Sequence, residues 1–131
     1  HLQIAHPERL PRTTGENTAM TTNEWNCPWA DGTDCAVTVC DTEGTVLYQN
    51  ARSAAVNGDV RGRSLIPCHN ERSRAVIRRL LEEGGRNIYT IEKQGVRKLI
   101  SQTVWRREGR IGGLVEFSLE IPAELPHYVR G

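Results

Sequence analysis

Long apolar runs, charge of one sign and aromatic side chains are all scarce in this chain. No stretch approaches the roughly 20 consecutive apolar residues of a membrane-spanning helix, which argues against a membrane partner. The 17 basic residues are offset by 16 acidic ones, for a net charge of +1. That balance argues against a nucleic-acid footprint and against strong attraction to a lipid surface. Aromatics are only 5% of the residues and hydrophobic residues 37%, so 131 residues carry one domain with a lean core. There is no Gly-rich phosphate motif. The four cysteines, Cys27, Cys35, Cys40 and Cys68, include no Cys-x-x-Cys pair, which weakens a zinc site and a dithiol redox site. No secretory apolar segment precedes them, so reduced thiols and a cytoplasmic location are expected.

What is present is a sequence of short β-prone and helical signals. Ala36–Asp41 and Val46–Asn50 flank an Asp-Thr-Glu-Gly turn, in which Gly44 can take the left-handed conformation of a tight hairpin. Cys40 lies inside the first of these strands, where a free thiol packs as a small hydrophobe. A short helix is expected to follow over Asn50–Val56, with Asn50 as N-cap and Asn57-Gly58 as its stop. Asn70–Glu83 carries the clearest helical pattern. Val76, Ile77, Leu80 and Leu81 make one apolar stripe, and Gly84-Gly85 ends it.

Three strands complete the pattern: Asn87–Lys93, Val96–Arg106 and Ile111–Ile121, joined at Gln94-Gly95 and Glu108-Gly109-Arg110. The last alternates, with Ile111, Gly113, Val115, Phe117, Leu119 and Ile121 on one side and Glu116, Ser118 and Glu120 on the other. Such alternation predicts one buried face and one polar or partner-covered face. Gly112-Gly113 predicts a close approach of another backbone element. Ahead of the hairpin, residues 1–19 read as a flexible leader, and a natural start at Met20 would make that leader an addition. Residues 20–35 read as a cap that buries Trp25 and Trp29 on the core or a sheet face, or pairs them as a ligand platform. Residues 36–121 form the domain, and residues 122–131 a tail.

This order of elements resembles a PAS domain. The resemblance rests on Ala36-Val-Thr-Val-Cys-Asp41 with Glu43-Gly44, on Val46-Leu-Tyr-Gln-Asn50 and on Gly62-Arg-Ser-Leu-Ile66. Glu82-Glu-Gly-Gly85 and Gly113-Leu-Val-Glu-Phe-Ser118 extend it. It implies an α+β fold in which a five-stranded antiparallel sheet carries helices on one face around a small pocket. It also implies sensing or protein interaction without catalysis, and frequent homodimers. The usual helical linker to an output domain does not follow Ile121, so a signalling protein partner is expected.

The expected ligand-binding residues are Cys68, His69, Arg74, Ile77, Leu80, Leu81, Ile100 and Phe117, with the small-molecule ligand itself unspecified. Cys68-His69 reads either as a haem or metal contact or as an ordinary loop pair ahead of the helix. The resemblance places Arg74 where haem-binding members carry histidine, and arginine does not ligate iron, so only an unusual haem site using His69 or Cys68 would remain. Pro67-Cys68-His69-Asn70 does not match the flavin-photosensor motif of related domains. Catalysis by Cys68 and His69 is disfavoured because adjacent helical side chains diverge by about 100°. Arg72, Arg74, Arg78 and Arg79 read as a solvated face paired with Glu82 and Glu83, with anion sensing through Arg74 as the alternative. A scaffold whose pocket is filled by its own side chains, acting only in dimerisation, is the competing reading.

Overall fold

The computed structural model describes residues 25–66 and 69–131. Its elements in chain order are α1 (Pro28–Asp31), β1 (Ala36–Asp41), β2 (Val46–Gln49), α2 (Ala51–Asn57) and α3 (Glu71–Glu83). They are followed by β3 (Arg86–Lys93), β4 (Val96–Arg107) and β5 (Arg110–Glu120). The strands form one sheet in the order β2-β1-β5-β4-β3, and every neighbouring pair is antiparallel.

The β1–β2 hairpin turns where the sequence puts its turn residues. Asp41 Oδ1 accepts from the Glu43 and Thr45 amides at 2.8 and 3.0 Å, which is the local bonding that makes Asp a turn residue. Gly44 has φ +86°, and a Cβ there would crowd the Ile66 side chain at 2.8 Å. The segment before α3 then runs along the free side of β2. Val46 N donates to Arg63 O at 2.9 Å, Gly62 N to Val46 O at 2.8 Å, and Leu65 N to Gly44 O at 2.9 Å. That edge is thereby covered by loop.

Both longer helices start on asparagine caps. Asn50 Oδ1 accepts from Ser53 N and Asn70 Oδ1 from Ser73 N, each at 2.9 Å, and both helices stop at glycines of positive φ, Gly58 and Gly84. α3 lays Ile77 and Leu80, each 1% exposed, against Cys40 and Leu114, with Val76, Leu81, Val104, Leu65 and Ile66 around them. Each such buried side chain contributes about 1.5–3 kcal/mol.

The opposite face of the sheet is covered as well, by the residues before β1. Ala30, Val37, Val39 and Tyr48 form a second core, against which Trp25, Trp105, Val115 and Phe117 pack. Trp25 stacks near Tyr48 at 6.4 Å and meets Trp105 edge-on at 5.4 Å. Trp29, expected to be buried, is instead 67% exposed, because the single turn α1 directs only Ala30 inward. The alternative of a Trp25–Trp29 platform is not formed, and Trp25 packs with Trp105 instead.

Gly112 and Gly113 fulfil the expected close approach. A Cβ on Gly113 would run into the Cys40 carbonyl of β1, and one on Gly112 would run into the Trp105 ring, whose Nε1 donates to Cys40 O at 3.0 Å. Asn50 ties the two sides together. Its Oδ1 accepts from Val37 N as well as from Ser53 N. Its Nδ2 donates to Ala30 O and Cys35 O at 2.8 Å, and the residue is 1% exposed.

Candidate functional site

The two faces of the sheet differ in chemistry. Register pairs Thr38 with Glu116 and Cys40 with Leu114 across β1 and β5, and Gln102 with Glu116 across β4 and β5. Side chains alternate along each strand, so Thr38, Cys40, Gln102, Leu114 and Glu116 share the face beneath α2 and α3. This is the polar half of the β5 alternation, and it faces inward. Phe117, expected in the pocket, lies on the other face with Val37 and Val115, against the Trp25 and Ala30 core. The apolar stripe of β5 is buried, but against the chain's own N-terminal side and not under the helices.

Between this inner face, α2, α3 and the covering loop lies a cavity of about 350 Å³. Its floor is hydrogen-bonded. Asn87 Nδ2 donates to Gln102 Oε1 at 3.1 Å, and Gln102 Nε2 donates to Glu116 Oε1 at 2.9 Å. The buried Gln102 amide is therefore satisfied at both ends, which fixes its orientation. The hydroxyls of Thr38 and Ser53 are 2.6 Å apart beside it. The apolar part of the wall comes from Val46, Val60, Leu65, Ile77 and Leu114. Gln49 holds the far wall, with Nε2 donating to Gly58 O at 3.0 Å and Oε1 accepting from Val60 N at 2.8 Å.

The expected site residues divide accordingly. His69 and Ile77 line the cavity. The Leu65 carbonyl can only accept, so the 2.7 Å contact with His69 Nδ1 makes that nitrogen the donor and leaves Nε2 as the acceptor of the neutral ring. Leu80 and Leu81 belong to the apolar cluster beside the cavity, and Ile100 is buried on the same sheet face, outside the lining. Arg74 donates to His69 O at 2.7 Å, so it braces the covering loop. Cys68 lies outside the described residues. Gln102, Glu116, Thr38, Asn57, Arg63 and Ser64 line the cavity without having been expected to. The signal for the first two was present: an amide inside an otherwise β-prone strand, and a carboxylate on the strand paired with it.

Burial pushes the Cys40 thiol up to about 12, with the charges of Asp41 and Glu116 adding to the rise. A thiol held so firmly protonated is a packing group and not a nucleophile. Burial also raises Tyr89, and Glu116 again contributes. Among the described residues, no group of three or more His, Cys, Asp or Glu side chains is placed to hold a metal ion. A haem does not fit the cavity residues: a flat macrocycle needs an apolar slot, whereas this space has a carboxylate and a fixed amide as its floor.

No family model matches the chain, and no curated protein matches it in sequence. Solved structures do. A PAS domain from Colwellia psychrerythraea superposes with a TM-score of 0.58 at 17% identity, covering 74% of this chain and 94% of that one. The photoactive yellow protein domain of the sensor histidine kinase Ppr from Rhodospirillum centenum gives 0.56 at 16%, covering 76% and 96%. The Vibrio cholerae Aer2 receptor, described as a dual PAS-heme oxygen sensor, gives 0.54 at 13%, covering 67% and 95%. At these identities the likeness defines the fold, and the fold is that of a PAS domain. Among the described residues no helix is long and apolar enough to cross a membrane.

Proposed function

We propose that the chain is a non-catalytic sensory module whose cavity binds a small molecule and reports its occupancy to a second copy or a signalling partner. The observation that carries this reading is the space of about 350 Å³ between α3 and the inner sheet face, walled by apolar side chains and floored by a satisfied polar network. Small-molecule sites combine those features at roughly 300–1,000 Å³. At roughly 30 Å³ per water-sized unit, the space suits a ligand of about a dozen non-hydrogen atoms. The PAS fold supports the reading, since solved structures with this fold include sensor proteins. A scaffold filled by its own side chains would leave no such space.

His69, Ile77, Gln102 and Glu116 form the ligand contacts, with Leu80, Leu81 and Ile100 supporting them from behind. Occupancy then shifts the balance between arrangements of the covering loop and α3, because a ligand moves a population by its differential affinity. The exposed apolar residues Ile88, Ile91 and Val96 at the β3 edge support an output through a homodimer or partner there.

The test is a thermal-shift screen against a metabolite library, with mass spectrometry of whatever co-purifies. At least one compound is expected to raise the melting temperature of the wild type and to leave Val60→Trp, which fills the cavity from its rim, unchanged. A library-wide absence of cavity-dependent shifts contradicts the proposal.

A further inference from the structure

The proposed function names no ligand class, but the floor of the cavity does. Glu116 brings a carboxylate to the wall of a space otherwise lined by apolar side chains, hydroxyls, amides, His69 and Arg63. Its one hydrogen-bonding partner among the described residues is the neutral Gln102 amide, at 2.9 Å. No ion pair joins it to a basic side chain among those residues. The charge is felt by its surroundings, since Glu116 helps to raise both the Cys40 thiol and the Tyr89 phenol. Glu116 is half-buried and bonded to one neutral amide, so a cation brought against it adds a charge-assisted bond that no described side chain supplies.

The other polar groups favour the same ligand end. Gln102 has its carbonyl engaged by Asn87 and one of its two N–H groups donated to Glu116, so the pair's charged group toward the cavity is an acceptor, the Glu116 carboxylate. His69, with Nδ1 bonded to Leu65 O, has an acceptor as its remaining nitrogen in the neutral ring. The one guanidinium on the lining belongs to Arg63, an exposed residue of the covering loop. The acceptors therefore lie on the floor and on the α3 side, and the cation comes from the covering loop.

Resting on the sensory reading above, we infer that the cavity binds a small organic cation, an amine or amidine on an apolar body. Its N–H groups are donated to Glu116, and its body lies against Val46, Leu65, Ile77 and Leu114. A charge-assisted bond of this kind discriminates against neutral and anionic isosteres of the same shape.

The probes are benzamidine, benzamide and benzoate, which share a ring and differ in the charge of one group. Each is titrated into the full chain at low ionic strength by NMR or calorimetry. Benzamidinium is expected to bind about tenfold or more tightly than benzamide, with benzoate weakest. Glu116→Gln, which keeps an acceptor for Gln102, is expected to remove that preference and to leave benzamide binding within about twofold. Glu116→Asp is expected to keep part of the preference.

Benzoate binding as tightly as benzamidinium, an unchanged preference in Glu116→Gln, or no saturable binding by any of the three overturns the inference. The sensory reading fails separately. A neutral or anionic metabolite that stabilises the wild type and not Val60→Trp upholds that reading while removing the cation.

Discussion

The two faces of the sheet are built from the same five strands yet solve opposite problems. On the outer face, Val37, Val39, Tyr48, Trp105, Val115 and Phe117 meet Trp25 and Ala30 in a largely apolar core. On the inner face, α3 buries Ile77 and Leu80 at one end, while Gln102, Glu116 and Thr38 stand under the helices around a cavity. Both faces are covered, yet the polar residues of β4 and β5 stand under the helices and the valines under the N-terminal segment. Polar groups enclosed beneath a helical layer contribute little net stability even when satisfied, and the proposed ligand gives them a role that folding does not. The outer face is core throughout; the inner face combines a core with the proposed site.

This contrast can be broken at the residue that joins the two faces. Asn50→Ala removes the cap of α2 and strands the Val37 amide with the Ala30 and Cys35 carbonyls in a buried place. The loss in urea unfolding is expected to be at least about 3 kcal/mol. A loss below about 1 kcal/mol would mean that the N-terminal side and the helical layer are held independently.

A smaller change sharpens the division. Phe117→Ala, on the outer face, is expected to cost about 2 kcal/mol, less than a fully buried aromatic because Phe117 is half-buried. Affinity of the cavity for its ligand should stay within about twofold, measured at a temperature where the variant remains folded. A larger loss of binding would place Phe117 in the site after all.

What the sequence made legible was local. The hairpin turn, the Asn50 cap, the glycine stops and the α3 stripe all read correctly, because each depends on a few neighbouring residues. The three C-terminal strands begin and end within a residue of expectation, since Gln94-Gly95 and Glu108-Gly109 punctuate them. Which face of β5 lies under the helices was not legible. Period 2 shows that two faces exist, and the larger apolar one was assigned to the pocket.

The deciding information lies far away in the chain. Trp25 and Ala30 cover the outer face although residues 20–35 show no periodicity. Trp105, 65 residues from Cys40, fixes the register through the space that Gly112 and Gly113 leave. For the same reason the sequence does not reveal that Gln102 and Glu116 line the cavity, nor that Phe117 lies in the opposite core.

The central claim is that the inner polar pair serves occupancy and not the fold, and the Gln102→Leu/Glu116→Leu double variant tests it most directly. Thermal unfolding without ligand should occur at or above the wild-type temperature, since apolar groups of similar size replace a buried polar network at little or no cost. The ligand-induced shift seen in the wild type should be gone. A melting temperature lower by more than about 5 °C, with the ligand shift retained, would contradict the account.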